Sequence, residues 1–429
     1  QISADIPAAN ILDYTVKGVL KVKEANYGVR YQAVLYYTTD GGATYAFSDK
    51  SAARSISCVA SAAESGGALP EGITDRVATF VNGDEGATSH QFENGVCTVC
   101  GTTLTVVEEG RGAAINLNVS YTDLKKPVAE QTTSFIDKDQ KIDLGKDYGT
   151  LRNATYDGVK NTGITLAGNY VTLPQNLFSP QTAGEHELTL RTSQGVVSVP
   201  IYVATRVITD TSDFNKTFRS LTAGERAYGY FVLGNDLDYG GANLGGSATV
   251  TCNGLCGTFN GRGYAIKNLD TGHRDGLFSS IHATNKTVIK NLVFTDLVHS
   301  GNVQANIFGY LVAGTTFENI TINVKTSVVA EGSAMPPASG YYGFLTGYTM
   351  DRCTFKNVTI NAEGQEIFCL FGYWTRRPND EGPYYTCENV VVNAKKVHYL
   401  GRDWVDNVIS GDTKVAGLTI NQEIVKEEI

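Results

Sequence analysis

The sequence predicts a mainly β protein in three parts. A β-rich module occupies 1–108, an immunoglobulin-like β-sandwich 109–205, and a right-handed parallel β-helix with an N-terminal capping helix 206–429. Three observations carry this. A short pattern with a central asparagine recurs through the C-terminal half. Short runs of alternating apolar and polar residues, separated by Gly, Asn and Asp, fill the rest. Charged residues make up only 18% of a chain that is 42% apolar, which suits long exposed sheets better than charged helices.

The repeat reads Val288-Ile289-Lys290-Asn291-Leu292-Val293-Phe294, then Thr316-Phe317-Glu318-Asn319-Ile320-Thr321-Ile322, then Thr354-Phe355-Lys356-Asn357-Val358-Thr359-Ile360, then Thr386-Cys387-Glu388-Asn389-Val390-Val391-Val392. Ala265-Ile266-Lys267-Asn268-Leu269 reads as a degenerate first copy. Val415–Ile420 reads as a last one, with Gly417 in place of Asn. A second apolar element falls between copies, as in Gly276-Leu277-Phe278, Ile307-Phe308-Gly309, Phe344-Leu345, Leu370-Phe371-Gly372 and Tyr399-Leu400-Gly401. The step from Asn268 to Asn291 is 23 residues, and later steps are longer, as a solenoid coil with loop insertions requires. The expected count is about six coils.

Stacked coils would form three continuous apolar columns: Ile289/Phe317/Phe355/Cys387, Leu292/Ile320/Val358/Val390 and Phe294/Ile322/Ile360/Val392. The asparagine sits where the chain must bend, which Asn tolerates, and its amide can bond along the stack. Asn319 and Asn357 are therefore expected to be buried. Lys290, Glu318, Lys356 and Glu388 alternate in sign at one position, so in-register stacking would set opposite charges side by side on a solvent-facing column.

In the first part, Val16–Val22 and Tyr31–Tyr37 alternate, with Thr39-Asp40-Gly41-Gly42 as a turn and 61–72 as a loop. The second part carries short strands at Ala114–Val119, Gly163–Leu166, Tyr170–Leu173, Glu187–Thr192 and Val196–Val203, without a Cys…Trp…Cys signature. A helix follows, capped by Thr211 or Ser212. Phe214, Phe218 and Leu221 share one face and Gly224 lies past its end. Such a helix would cover the open end of the next core.

Tyr230–Asp238, Gly257–Leu269 and Gly276-Leu277-Phe278 together resemble GLUG-like right-handed β-helix surface proteins of gut Firmicutes and Bacteroidetes, in which a sandwich also leads into the helix. The resemblance covers about 206–429. It implies a fold and a surface location, and it brings no catalytic residues with it. His90-x6-Cys97-x2-Cys100-Gly101 resembles a short zinc-knuckle-like motif of similar secreted proteins. Those add a Cys just before the His, where this chain has Thr88 and Ser89.

His90, Cys97 and Cys100 supply three ligands for a structural zinc, which wants four, and Cys58 is a candidate fourth. A Cys97–Cys100 disulfide is the alternative. A redox role lacks a surrounding βαβ pattern. Cys252 and Cys256 are close enough for a local bridge and Cys369 and Cys387 flank one loop, but buried free thiols are the simpler expectation. Candidate carboxylates for polysaccharide cleavage are Asp236/Asp238, His273-Arg274-Asp275 and Arg402-Asp403. Asp236 and Asp238 read more simply as turn and edge residues.

Aromatic and arginine residues crowd the long insertions: Tyr341, Tyr342 and Tyr348, then Tyr373, Trp374, Arg376, Arg377, Tyr384 and Tyr385, then Trp404. Rings with polar tips make a recognition surface, and successive insertions in a solenoid tend to emerge on one side. Some of these rings are expected to cover core ends instead. The expected ligand is a host or microbial glycan or a surface protein, with self-association as a further partner mode. A balance of 35 basic against 44 acidic residues, net −9, disfavours nucleic acid. No apolar run reaches the roughly 18 residues of a membrane helix. Gln1–Asn10 reads like a start left by signal cleavage, and Glu423–Ile429 carries no sorting motif. The sequence thus predicts an extracellular cell-surface adhesin or glycan-binding protein. A structural stalk and a polysaccharide lyase or hydrolase are the rivals.

Overall fold

A computed structural model describes residues 92–98, 103–107, 111–132, 136–222, 224–242, 254–272, 276–278, 280–281, 287–300, 306–327, 343–349, 353–374, 385–400 and 416–422. Six short strands before residue 82 are described by backbone alone, as are Leu311, Tyr348, Thr349, Tyr373 and Trp374. The chain is mainly β, with mixed and antiparallel sheets before a C-terminal parallel β-solenoid. It divides into two compact units: 1–109, 140–174 and 187–199; and 110–139, 175–186 and 200–429.

In the first unit, Val19–Lys21 pairs antiparallel with Thr79–Val81, and Tyr36–Tyr37 with Ala46–Phe47. The expected turn at 39–42 and loop at 61–72 lie outside the described residues. Leu151–Tyr156 forms a hairpin with Val159–Lys160 through Asp157 and Gly158, both at positive φ (50° and 74°). Asp-Gly is the pair that a tight hairpin of this twist selects. Gln140–Asp143, Tyr170–Leu173 and Thr165–Ala167 make a three-stranded antiparallel sheet. Leu104–Val106 adds a parallel partner to Val196–Ser198.

In the second unit, Ala113–Asn116 runs parallel to Ile201–Ala204. Strands Arg206–Ile208, Arg226–Leu233, Gly254–Asn260, Val288–His299, Thr316–Ser327, Cys353–Cys369, Tyr385–Tyr399 and Leu418–Gln422 then stack in parallel. They form a solenoid of about four turns, fewer than the sequence suggested. The first copy is also placed differently. Ala265–Lys267 pairs with Val293–Thr295, one strand segment later than expected, and Thr258-Phe259-Asn260 is what faces Val288-Ile289-Lys290. The 23-residue step therefore compared two different columns. Within one column, Asn291 to Asn319 spans 28 residues, and the next two steps span 38 and 32.

The three apolar columns form as expected. Ile289, Phe317, Phe355 and Cys387 align, as do Leu292/Ile320/Val358/Val390 and Phe294/Ile322/Ile360/Val392, and all are buried. Phe231 and Phe259 extend the first column toward the N-terminus. Phe317 and Phe355 stack with centroids 4.7 Å apart. The second apolar element makes another column through bonds such as Phe308 N to Leu345 O and Phe371 N to Leu400 O. The helix Thr211–Phe218 packs Phe214 and Phe218 onto Phe231, Phe259 and Phe278, so it covers this end of the core. Its cap is Asp210, whose carboxylate accepts from Asp213 N at 2.8 Å, rather than Thr211 or Ser212. Asp210 holds the extended backbone that a cap requires, whereas Thr211 is already helical. Leu221 is buried beyond the last turn.

Asn291, Asn319, Asn357 and Asn389 all sit at φ between 54° and 55° or just below, at 52° for Asn357. Each donates Nδ2 to the Oδ1 of the asparagine one coil earlier, at 3.0–3.1 Å. The donor chain starts at Asn260, not Asn268, which bonds Asp238 instead. Contrary to expectation, Asn319 and Asn357 are exposed, because the bend turns their amides along the outer edge of the stack. At the last coil Gly417 takes over at φ 75°, where a Cβ would run into the Cys387 carbonyl. A second ladder, Asn323–Asn361–Asn393–Asn421, runs beside the first at 2.8–2.9 Å.

The charged column keeps its predicted register, Lys290–Glu318–Lys356–Glu388, and all four are partly or fully exposed. Lys356 lies 3.4 Å from Glu318. Lys290 turns instead to Glu185 at 2.6 Å.

Candidate functional site

Parallel stacking repeats every outward position from coil to coil, so one coil's surface residue has a neighbour about 4.8 Å away. On the strands Cys353–Cys369 and Tyr385–Tyr399, Ile367 and Val397 pair and are buried. The residues flanking them face outward. Phe368 and His398 are half-buried rings there with centroids 6.2 Å apart, and the half-buried ring of Tyr399, at the strand end on the rung of buried Cys369, lies 5.3 Å from that of Phe368. His398 Nε2 lies 2.8 Å from Glu366 Oε2, and Lys395 Nζ lies 3.0 Å from Glu366 Oε1. His398, then Lys395, hold the Glu366 carboxyl below the usual glutamate range. The result is a strip of apolar ring edges bordered by fixed charge and hydrogen-bonding groups. Such a surface can stack on a sugar ring while bonding its hydroxyls.

None of Glu366, Phe368 and His398 stood out in the sequence. The signal was present in register: once Ile367 and Val397 are assigned to the core, Phe368 and His398 must face outward, where a bare ring is unusual.

The candidate ligand-binding residues fall at several places. Tyr348 pairs with Tyr373, and Thr349 with Trp374, on adjacent rungs. Tyr385 is only 3% exposed. Its ring stacks on Phe371 at 4.5 Å and its hydroxyl donates to Gly372 O at 3.2 Å, so this ring covers core. Tyr341, Tyr342, Arg376, Arg377, Tyr384 and Trp404 lie outside the described residues. The insertions do not share one stem. The segment of Tyr341 and Tyr342 follows the strand that ends at Ser327, whereas that of Arg376 to Tyr384 follows the strand that ends at Trp374.

The candidate carboxylates are occupied by local structure. Asp236 accepts from Ala265 N and pairs with Lys267 at 2.6 Å, and Asp238 accepts from Gly240 N and Asn268 Nδ2. His273-Arg274-Asp275 and Arg402-Asp403 lie outside the described residues. Of the candidate zinc ligands, Cys97 is buried on the hairpin Phe92–Glu93/Val96–Cys97, and His90 and Cys100 lie outside the described residues. Among the described residues, no three His, Cys, Asp or Glu side chains gather as a metal would require. Cys369 and Cys387 are free, buried thiols, and burial pushes both up to about 12.

No known protein family, no curated protein and no solved structure matches this chain.

Proposed function

We propose that this chain is a non-catalytic, extracellular cell-surface protein that binds glycans, as an adhesin or lectin-like display module. The solenoid reads as a right-handed β-helix of the GLUG-like kind, and the preceding sheets as an immunoglobulin-like sandwich. The observation that carries the reading is the half-exposed cluster of Phe368, Tyr399 and His398 beside Glu366 and Lys395, on coils joined by two asparagine ladders. A rigid, ring-bearing face loses little conformational freedom on binding. The aromatic insertions around Tyr341, Tyr373 and Trp404 are a second candidate binding region of the same proposal. A structural zinc held by His90, Cys97 and Cys100 is part of the same proposal.

A second reading, a structural stalk that self-associates, is favoured by the two ladders, which suit a spacer as well as a platform. A glycan array separates the two. The binding reading expects defined glycan hits that fall away in a Tyr373→Ala/Trp374→Ala variant or a Phe368→Ala variant. An array silent for the intact chain, with concentration-dependent oligomers in solution, would support the stalk.

A further inference from the structure

Where the strand Gly184–Thr192 begins, one carboxylate oxygen collects three donors. Glu185 Oε1 accepts from Lys290 Nζ at 2.6 Å, from the Tyr230 hydroxyl at 2.7 Å and from Asn260 Nδ2 at 2.8 Å. Lys290 and Asn260 are paired residues on adjacent rungs of the parallel sheet, so their side chains leave it side by side. Asn260 is fully buried. Its Nδ2 also bonds the Tyr230 hydroxyl at 3.0 Å. Its carbonyl Oδ1 accepts two N–H donors, Arg262 N at 2.8 Å and Asn291 Nδ2 at 3.0 Å.

The turn that supplies one of those donors is fixed. Arg262 sits at φ 52°, and its guanidinium, 4% exposed, donates to Leu233 O at 3.0 Å, Arg111 O at 2.7 Å and Gly112 O at 2.8 Å. A salt bridge would need Glu185 and Lys290 alone. Here the amide nitrogen of Asn260 meets the same carboxylate oxygen, and its carbonyl is polarised by two fixed dipoles. Amine, amide nitrogen and a shared proton carrier thus meet around one oxygen, beside a carbonyl already bonded by two donors, which are the groups that an acyl transfer from amide to amine uses.

We propose that Lys290 and Asn260 become joined by an intramolecular amide bond, formed by the folded chain itself with Glu185 as proton carrier. A proton passes from Lys290 Nζ to Glu185 along their 2.6 Å contact. This step is uphill, because burial raises the carboxyl but bonds from Lys290, Tyr230 and Asn260 outweigh it and hold the group below its usual range, so the bond forms slowly after folding. The neutral amine attacks Asn260 Cγ, and Arg262 N–H and Asn291 Nδ2 stabilise the negative charge growing on Oδ1. Glu185 then protonates Nδ2, the Cγ–Nδ2 bond breaks, and ammonia leaves. The surplus proton on the new amide nitrogen passes through Glu185 to the ammonia, which departs as ammonium, and Glu185 ends as a carboxylate. No oxidant or further reactant enters. Burial raises the Tyr230 hydroxyl far above its usual range, so it stays a donor throughout. The product is a covalent tie between neighbouring coils, which constrains the unfolded chain as other cross-links do.

The test is mass spectrometry of the full chain. The intact mass is expected to be lower than the sequence mass by one ammonia, and trypsin should release one branched peptide joining the Asn260 and Lys290 segments, uncut after Lys290. Because an N-terminal glutamine also loses ammonia on cyclising, the branched peptide decides. Lys290→Arg and Glu185→Gln should yield separate linear peptides while keeping the native circular dichroism. Separate linear Asn260 and Lys290 peptides from the unmodified chain would overturn the proposal, and that result needs no variant to fold.

Discussion

Asn357 donates its side-chain amide to Asn319 at 3.0 Å, although the two are 38 residues apart in the chain. Both sit in the left-handed region, at φ 52° and 54°. One residue type thus meets two demands, a bend that most side chains resist and a hydrogen bond to the next coil. Asn357→Gly keeps the bend and loses two ladder bonds, the one given to Asn319 and the one accepted from Asn389, and should destabilise the chain by about 2 kcal/mol. Asn357→Ala loses the bend as well and should cost about 3–4 kcal/mol, adding roughly 1–2 for the left-handed backbone. Urea denaturation of the two variants checks the order. A Gly variant as stable as the parent would mean that the ladder bonds contribute nothing, and equal losses in the two variants would mean that the left-handed backbone does.

The stacked pair Phe317–Phe355 lies at the centre of the first column. Phe317→Ala should therefore cost about 3–5 kcal/mol, the range for a fully buried ring. Phe317→Leu should recover most of it. Chemical denaturation midpoints give both numbers.

Much of this was legible in the sequence. The three apolar columns, the charged register and the bend asparagines follow from a pattern in which Phe317, Asn319, Ile320 and Ile322 recur at fixed offsets. The second ladder was legible too, since Asn323, Asn361, Asn393 and Asn421 each stand four positions after Asn319, Asn357, Asn389 and Gly417. The true first copy was not, because Asn260-Gly261-Arg262 replaces the single bend residue and Asn268 mimics it one strand later. The partner of Lys290 was also invisible. Glu185 comes from outside the repeat, and periodicity carries no information about such a contact. Tyr385 illustrates a related gap. A ring beside an insertion reads the same whether it faces solvent or, as here, stacks on Phe371.

His398, then Lys395, hold the Glu366 carboxyl below its usual range. A carboxyl depressed in the folded state stabilises the fold above its ordinary, unfolded pKa. That stability is lost as pH falls through the depressed, folded value. Melting temperature should therefore fall on acidification below the ordinary glutamate range, and Glu366→Gln should flatten part of that fall. An unchanged profile in the variant would show that Glu366 is not coupled to folding.

Burial raises the Cys369 and Cys387 thiols to about 12, so neither is a nucleophile at neutral pH. Both should resist alkylation in the native chain and react fully in denaturant, as mass spectrometry of digests would show. Rapid native labelling of either would mean that the coils open readily.

A zinc held by His90, Cys97 and Cys100 would appear as about one metal per chain in elemental analysis, as a structural site is closed and retains its ion. Cys97→Ser should release it. A metal-free chain whose melting temperature ignores chelator would remove zinc from the account.

The most direct test of the central claim is binding of the intact chain to immobilised polysaccharides, beside a Phe368→Ala/Tyr399→Ala variant of matched melting temperature. The account predicts saturable binding that the double variant weakens about tenfold or more, the loss of roughly 1.4 kcal/mol of ring contact. Equal binding by both proteins, or no binding by the unaltered chain to any glycan offered, would contradict it.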